Sequence, residues 1–175
     1  DVYKRQRGGF HPMSPGPGND DEMVIVGIGD FCVGKMPMSS IGLGSCIGLV
    51  IYDKEKGIGG MAHVMLPDSQ GRSERPGKFA DTAVEALVKD LVKSGSRQGS
   101  LVAKMAGGAA MFKTFSGNLN IGERNIEAVK TALKLKNIPL AGEDTGGVAG
   151  RTMVYIPANA GKISIKTADG TRKEI

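Results

Sequence analysis

Residues 40–67 read SIGLGSCIGLVIYDKEKGIGGMAHVMLP. Two apolar, β-branched runs, 46–53 and 58–66, flank the polar Lys54-Glu55-Lys56-Gly57. A short polar turn closed by glycine between two such runs predicts a β-hairpin. If Asp53 faces Ile58 across the turn, paired positions sum to 111, so Cys46 faces Met65 and His63 faces Gly48. Cross-strand partners share a face, as do residues i and i+2 of one strand. Cys46 and His63 are then diagonal neighbours on one face, roughly 5.5–8 Å apart between backbones. A turn one residue longer or shorter would put them on opposite faces.

A thiol beside an imidazole is the pairing a cysteine nucleophile needs, because an adjacent base or imidazolium brings the sulfur to its thiolate form. Gly44 and Ser45, just before Cys46, lie where a glycine-rich backbone turns N–H groups toward an oxyanion. The competing assignment is a buried structural cysteine and a satisfied core histidine, since free cysteine is among the most buried residue types.

The segments GLGSCIGLVIYD and GIGGMAHVMLP resemble the signature of the CheD family, the chemoreceptor glutamine deamidases of bacterial and archaeal chemotaxis. KFADTAVEAL at 78–87, AKMAGGAAMF at 103–112, IGERNIEAV at 121–129 and EDTGGVAGR at 143–151 continue the likeness in one register. The resemblance implies a Cys-His-Thr triad. Cys46 and His63 match its first two members, and Ser40 stands where the family has threonine. It also implies an α/β sandwich, no metal or organic cofactor, and methyl-accepting chemotaxis receptors as substrates, with room for methylesterase activity at the same sites. The alternative function it implies is that of a regulatory module partnering the CheC phosphatase, which acts on the phosphorylated response regulator CheY.

The rest of the chain sets bounds. A chain of 175 residues with 40% hydrophobic and 23% charged content suits one soluble domain. Residues 1–22, rich in proline and glycine, are expected to be a disordered extension, with Met13 or Met23 as the natural start, and 23–170 to be the folded domain. His11 falls in that extension, and two cysteines, Cys32 and Cys46, make neither a disulfide framework nor a metal cluster. Cys32 is expected to be packing. A net charge of +5 fits a mildly basic soluble protein or attraction to an acidic partner. The cations are scattered and aromatics are few, so a nucleic-acid surface is unsupported. No run suits a membrane span or secretory signal, and a cytoplasmic, reducing setting is expected.

Along the chain, 23–28 is expected as a strand, 30–38 as a loop and 68–76 as either a connector or the rim of a site. Apolar residues at helical spacing, Ala83, Val84, Leu87, Val88, Leu91 and Val92, predict a helix over 77–94. A strand over 101–106 leads into Gly107-Gly108, read as close packing of a turn because no phosphate-loop lysine follows. Asn120 caps a second helix to about residue 136, with Ile126, Val129 and Leu133 buried. A short strand at 138–141, a polar turn at 143–147 and a hairpin of 151–157 with 162–167 complete the reading, and the last residues are expected to fray. The fold class is α/β: a single-domain sandwich with a mixed sheet, β-hairpins and two long helices.

Overall fold

A computed structural model describes residues 3–6, 9–12, 22–72, 74–111 and 120–175. The hairpin forms as the sequence predicts, from β6 (Ile47–Asp53) and β7 (Gly59–Val64), with Gly48 opposite His63 and Ile47 opposite Val64. Asp53 Oδ1 accepts the Glu55 N–H at 2.8 Å and the Asp53 N–H donates to the Ile58 carbonyl, which fixes the even-length turn. This hairpin is the centre of a five-stranded sheet. β4 (Phe31–Gly34) lies beyond β7, while β8 (Leu101–Gly107) and then β9 (Leu140–Thr145) lie beyond β6. The pairs are antiparallel except β8 with β9.

A second five-stranded sheet covers the first. Its order is β12 (Arg172–Glu174), β11 (Ile163–Thr167), β10 (Arg151–Tyr155), β5 (Met38–Leu43) and β3 (Val24–Ile25). Only β3 and β5 run parallel in it. Helices α1 (Ala80–Lys93) and α2 (Ile121–Leu135) cover the opposite face of the first sheet.

The period-2 alternation of β6 explains why that sheet is covered on both sides. Ile47, Leu49 and Ile51 pack against Val84, Leu87, Leu91, Val129 and Leu133 of the helices. Val50 and Tyr52 point the other way, against Met38, Leu43, Met153 and Tyr155 of the second sheet. The product is an α/β sandwich of one helix layer and two mixed sheets, as the sequence and the family likeness imply.

Several boundaries differ from the sequence reading. Residues 31–34 are a strand rather than a loop, because the edge of β7 supplies partners from Gly59 to Ala62. The polar stretch Glu143–Thr145 continues β9 as an exposed edge strand, and the turn itself is Gly146-Gly147, both at positive φ. The C-terminal residues pair as β12 instead of fraying. Helix α1 starts three residues late, after a single 3₁₀ turn over Pro76–Lys78, and Val92 is 46% exposed, outside its buried stripe. In the N-terminal segment, β1 (Tyr3–Gln6) and β2 (Gly9–Pro12) pair as a separate ribbon. The rest of that segment, apart from Glu22, lies outside the described residues.

Candidate functional site

The chain passes from the second sheet to the first through Gly44-Ser45-Cys46, between β5 and β6. Pairing of β5 with β10 slips by one residue between Ser40–Met153 and Leu43–Arg151, a β-bulge at Ile41-Gly42 with Gly42 at φ 71°. A bulge bends a strand and ends its pairing, and glycine takes the positive φ without strain. That bend turns the cysteine toward the other sheet.

All three carbonyls of the crossing are held from inside the protein. The Ala109 N–H donates to the Gly44 carbonyl at 2.9 Å and the Gly108 N–H to the Cys46 carbonyl at 2.9 Å. The Asn125 side chain donates to the Ser45 carbonyl at 3.0 Å. The Gly107-Gly108 turn is therefore the close backbone packing that the sequence suggests: a Cβ on Gly107 would lie 2.1 Å from the Cys46 carbonyl oxygen. In a trans peptide the N–H points opposite the C=O. Anchoring the carbonyls of Gly44 and Ser45 inward thus aims the N–H groups of Ser45 and Cys46 outward.

His63 is 2% exposed and Ser40 is fully buried. They come from different sheets and meet between them. His63 Nδ1 lies 3.3 Å from the Val26 carbonyl and 3.5 Å from Ser40 Oγ, while the Ser40 hydroxyl itself donates to the Val26 carbonyl at 2.9 Å. A carbonyl only accepts, so it selects the tautomer with hydrogen on Nδ1 and leaves Nε2 with its lone pair. Nε2 is buried and has no hydrogen-bond partner among the described residues.

Cys46 is half-buried and packs at the edge of the cluster between the sheets. His63 alternates with Met61, a member of that cluster, so Cys46 and His63 project from the same face of the hairpin. Between them is Gly48, where a Cβ would fall 2.0 Å from Met153 Sδ. Met153 fills the space a side chain at 48 would take. The structure thus brings His63 and Ser40 together, with Ser40 nearer the Val26 carbonyl than the imidazole, and sets Cys46 on the same face of the hairpin with no hydrogen bond to His63.

Burial dominates the electrostatics. It pushes the Cys46 thiol above its ordinary value. It also holds the His63 imidazole below its ordinary value, against the opposing effects of the Val26 carbonyl and the Asp30 charge. Both shifts favour the neutral forms. Cys32, buried in β4, is pushed up to about 12 by burial and is packing, as its sequence context suggests.

Three contributors carry no direct sequence signal or a faint one. Val26 acts through its backbone. Met153 lies in a distant strand. Asn125, fully buried on α2, is a polar residue inside an apolar helical stripe, which is a readable anomaly. Arg75, ahead of α1, leans on the same region, donating to the Ile28 carbonyl at 2.7 Å and paired with Asp30 at 3.4 Å. Ile41, Met65 and Met111 are exposed beside the crossing, and Met111 packs over Gly44. Among the described residues no group of three or more His, Cys, Asp or Glu side chains is arranged to hold a metal ion, and no helix is long and apolar enough to cross a membrane.

A family model described as "CheD chemotactic sensory transduction" matches residues 65–167. A Methanococcus vannielii protein named "Probable chemoreceptor glutamine deamidase CheD" is 48% identical over 147 residues, 82% of this chain and 95% of the relative. The Thermotoga maritima "Chemoreceptor glutamine deamidase CheD" is 47% identical, over 83% of this chain and 92% of the relative. A Clostridium botulinum relative, also named "Probable chemoreceptor glutamine deamidase CheD", is 48% identical over 89% of this chain and 99% of its own length.

Proposed function

The chain belongs to the CheD family, and from that premise we propose that it deamidates glutamine side chains of chemotaxis receptors with Cys46 as nucleophile and His63 as base. The observation that carries this reading is the placement of Cys46 and His63 on one face of a hairpin whose register sets Gly48 against His63. The hydrogen bond that the Val26 carbonyl offers Nδ1 leaves Nε2 as the free base.

His63 Nε2 takes the thiol proton as Cys46 Sγ bonds to the amide carbon. The N–H groups of Ser45 and Cys46 hold the resulting oxyanion. The C–N bond then breaks, His63 returns its proton to the departing ammonia, and a thioester remains. Water, deprotonated by His63, attacks the thioester, and the C–S bond breaks to give glutamate and the regenerated thiol. Exposed Ile41, Met65 and Met111 give the mouth an apolar border suited to the apolar flank of a protein substrate. The test is ammonia release from the cytoplasmic domain of a cognate receptor, which is expected with this chain and absent without it.

The pH dependence follows from His63. Its imidazole must be neutral to act as base, and burial depresses its pKa, so the neutral form persists to lower pH. The acid limb of kcat/KM should therefore lie below about 6.5, the ordinary imidazole value. A limb above that value would contradict the role of burial.

Ser40 supports the carbonyl that orients the imidazole. Ser40→Ala should lower kcat about 3–10-fold, well short of the 10²–10⁴-fold associated with a general base. Ser40→Thr, with χ1 restricted by its methyl, should match the unmutated rate or exceed it. Equal rates for all three forms would remove the hydroxyl from the mechanism.

A further inference from the structure

We infer that Asn125 is a positioning residue that ties the Cys46 crossing to the end of the His63 strand through a single carboxamide. This inference rests on the Cys46–His63 reading above. The Asn125 Nδ2 group donates to the Ser45 carbonyl at 3.0 Å and to the Met65 carbonyl at 3.0 Å. Ser45 precedes Cys46, and Met65 lies two residues after His63. One rigid, fully buried amide thus spans the two segments that bear the reacting groups.

Its peptide context gives the bond to Ser45 a specific consequence. Fixing the Ser45 carbonyl fixes the opposite end of the same peptide, the Cys46 N–H, which is an oxyanion donor in the mechanism above. Of the three anchors on the crossing, those from Gly108 and Ala109 are backbone groups, and Asn125 is the only side chain. Its own helix is pressed tightly into place. A Cβ on Gly122 would lie 2.5 Å from the Ala109 carbonyl oxygen, and one on Gly108 would lie 2.5 Å from Ile126. The amide therefore acts from a fixed base.

Apolar packing does not account for this residue. Asn125 Oδ1 is buried with no hydrogen-bond partner among the described residues, and an unsatisfied buried acceptor is destabilising. Leucine would fill a similar volume among the apolar residues of α2 without that orphaned acceptor, but would take the donor from both carbonyls and leave them free to move. Small displacements of groups that hold a transition state can cost about 10²-fold in rate.

The test compares the unmutated chain with Asn125→Leu and Asn125→Ser, each at a temperature where circular dichroism shows it folded. Asn125→Ser adds no bulk and keeps one donor, so it decides the matter if Asn125→Leu does not fold. Two readouts are taken: kcat and KM for ammonia release from the receptor domain, and the pH profile of Cys46 alkylation by iodoacetamide. Asn125→Leu should lower kcat about 10–10²-fold with KM within about 2-fold, and Asn125→Ser should fall between. In the unmutated chain alkylation should rise with deprotonation of His63. In Asn125→Leu that dependence on His63 should weaken and alkylation should follow the thiol's own deprotonation at higher pH, because the segments bearing the thiol and its base are no longer tied together. A lowered melting temperature with unchanged kcat and an unchanged alkylation profile would overturn the inference while leaving the deamidase reading intact. An unmutated chain that releases no ammonia would overturn that reading, and this inference with it.

Discussion

Cys46→Ala should abolish ammonia release from the receptor domain while leaving the thermal melt of the chain close to that of the unmutated protein. The sulfur is half-buried at the border of the inter-sheet cluster and, among the described residues, makes no hydrogen bond that holds the crossing. The crossing is held by its carbonyls, through Ala109, Asn125 and Gly108, and an alanine keeps all of them. Losing one sulfur there should cost about 1 kcal/mol or less, within the range of partly exposed substitutions. Activity is a different matter, because without the thiolate no acyl intermediate forms. Residual turnover at even a tenth of the unmutated rate would mean that another group attacks the amide.

Gly107→Ala should do the reverse and damage the fold and the site together. Gly107 sits at φ 111°, where an L side chain is strained, and a Cβ there would meet the Cys46 carbonyl oxygen at 2.1 Å. That neighbour is backbone and cannot rotate away. Gly107 also accepts the Gly146 N–H and an Arg151 guanidinium bond, so displacing it loosens the pairing of β9 and the Asp144–Arg151 ion pair beside it. The expected cost is about 3–5 kcal/mol, the range reached when a special backbone conformation and a buried network fail together. For a chain of this length that corresponds to a fall in melting temperature of roughly 10 °C. Gly99→Ala, where the added methyl meets nothing within 4 Å, is the control and should shift the melt by little. A Gly107→Ala chain that melts with the control and deamidates normally would show that the turn is not the support of the crossing.

The hairpin was legible because its turn chemistry is local. Asp53 and Gly57 bound a loop of even length, and the side-chain period of 2 then put Cys46 and His63 on one face. The helices were legible from their stripes, and the Asn120 cap is seen directly, accepting the Glu123 N–H at 2.9 Å. Two strands, one in each sheet, were not. Phe31–Gly34 and Met38–Leu43 are short and interrupted by glycine, and their strand character comes from partners far away in sequence, β7 and β10. The site inherited that gap. Ser40 was identified by its likeness to a family position, but its actual hydrogen-bond partner is the backbone of Val26, which no side-chain pattern announces. Likewise Glu143–Thr145 reads as turn chemistry, yet β8 recruits it as an edge strand, and Asp144 then pairs with Arg151 and Lys173. Asn125 was the missed residue with a signal: an amide among the apolar positions of a helix is either a defect or an anchor.

The central claim is that this chain converts receptor glutamine to glutamate through Cys46. Mass spectrometry of a cognate receptor's cytoplasmic domain, before and after incubation, measures that conversion at named residues. The account predicts that individual glutamines gain the mass of an amide turned to an acid, in step with ammonia released, and that none do so with Cys46→Ala. Glutamines left unchanged by the active chain, or changed equally by the Cys46→Ala chain, would contradict it.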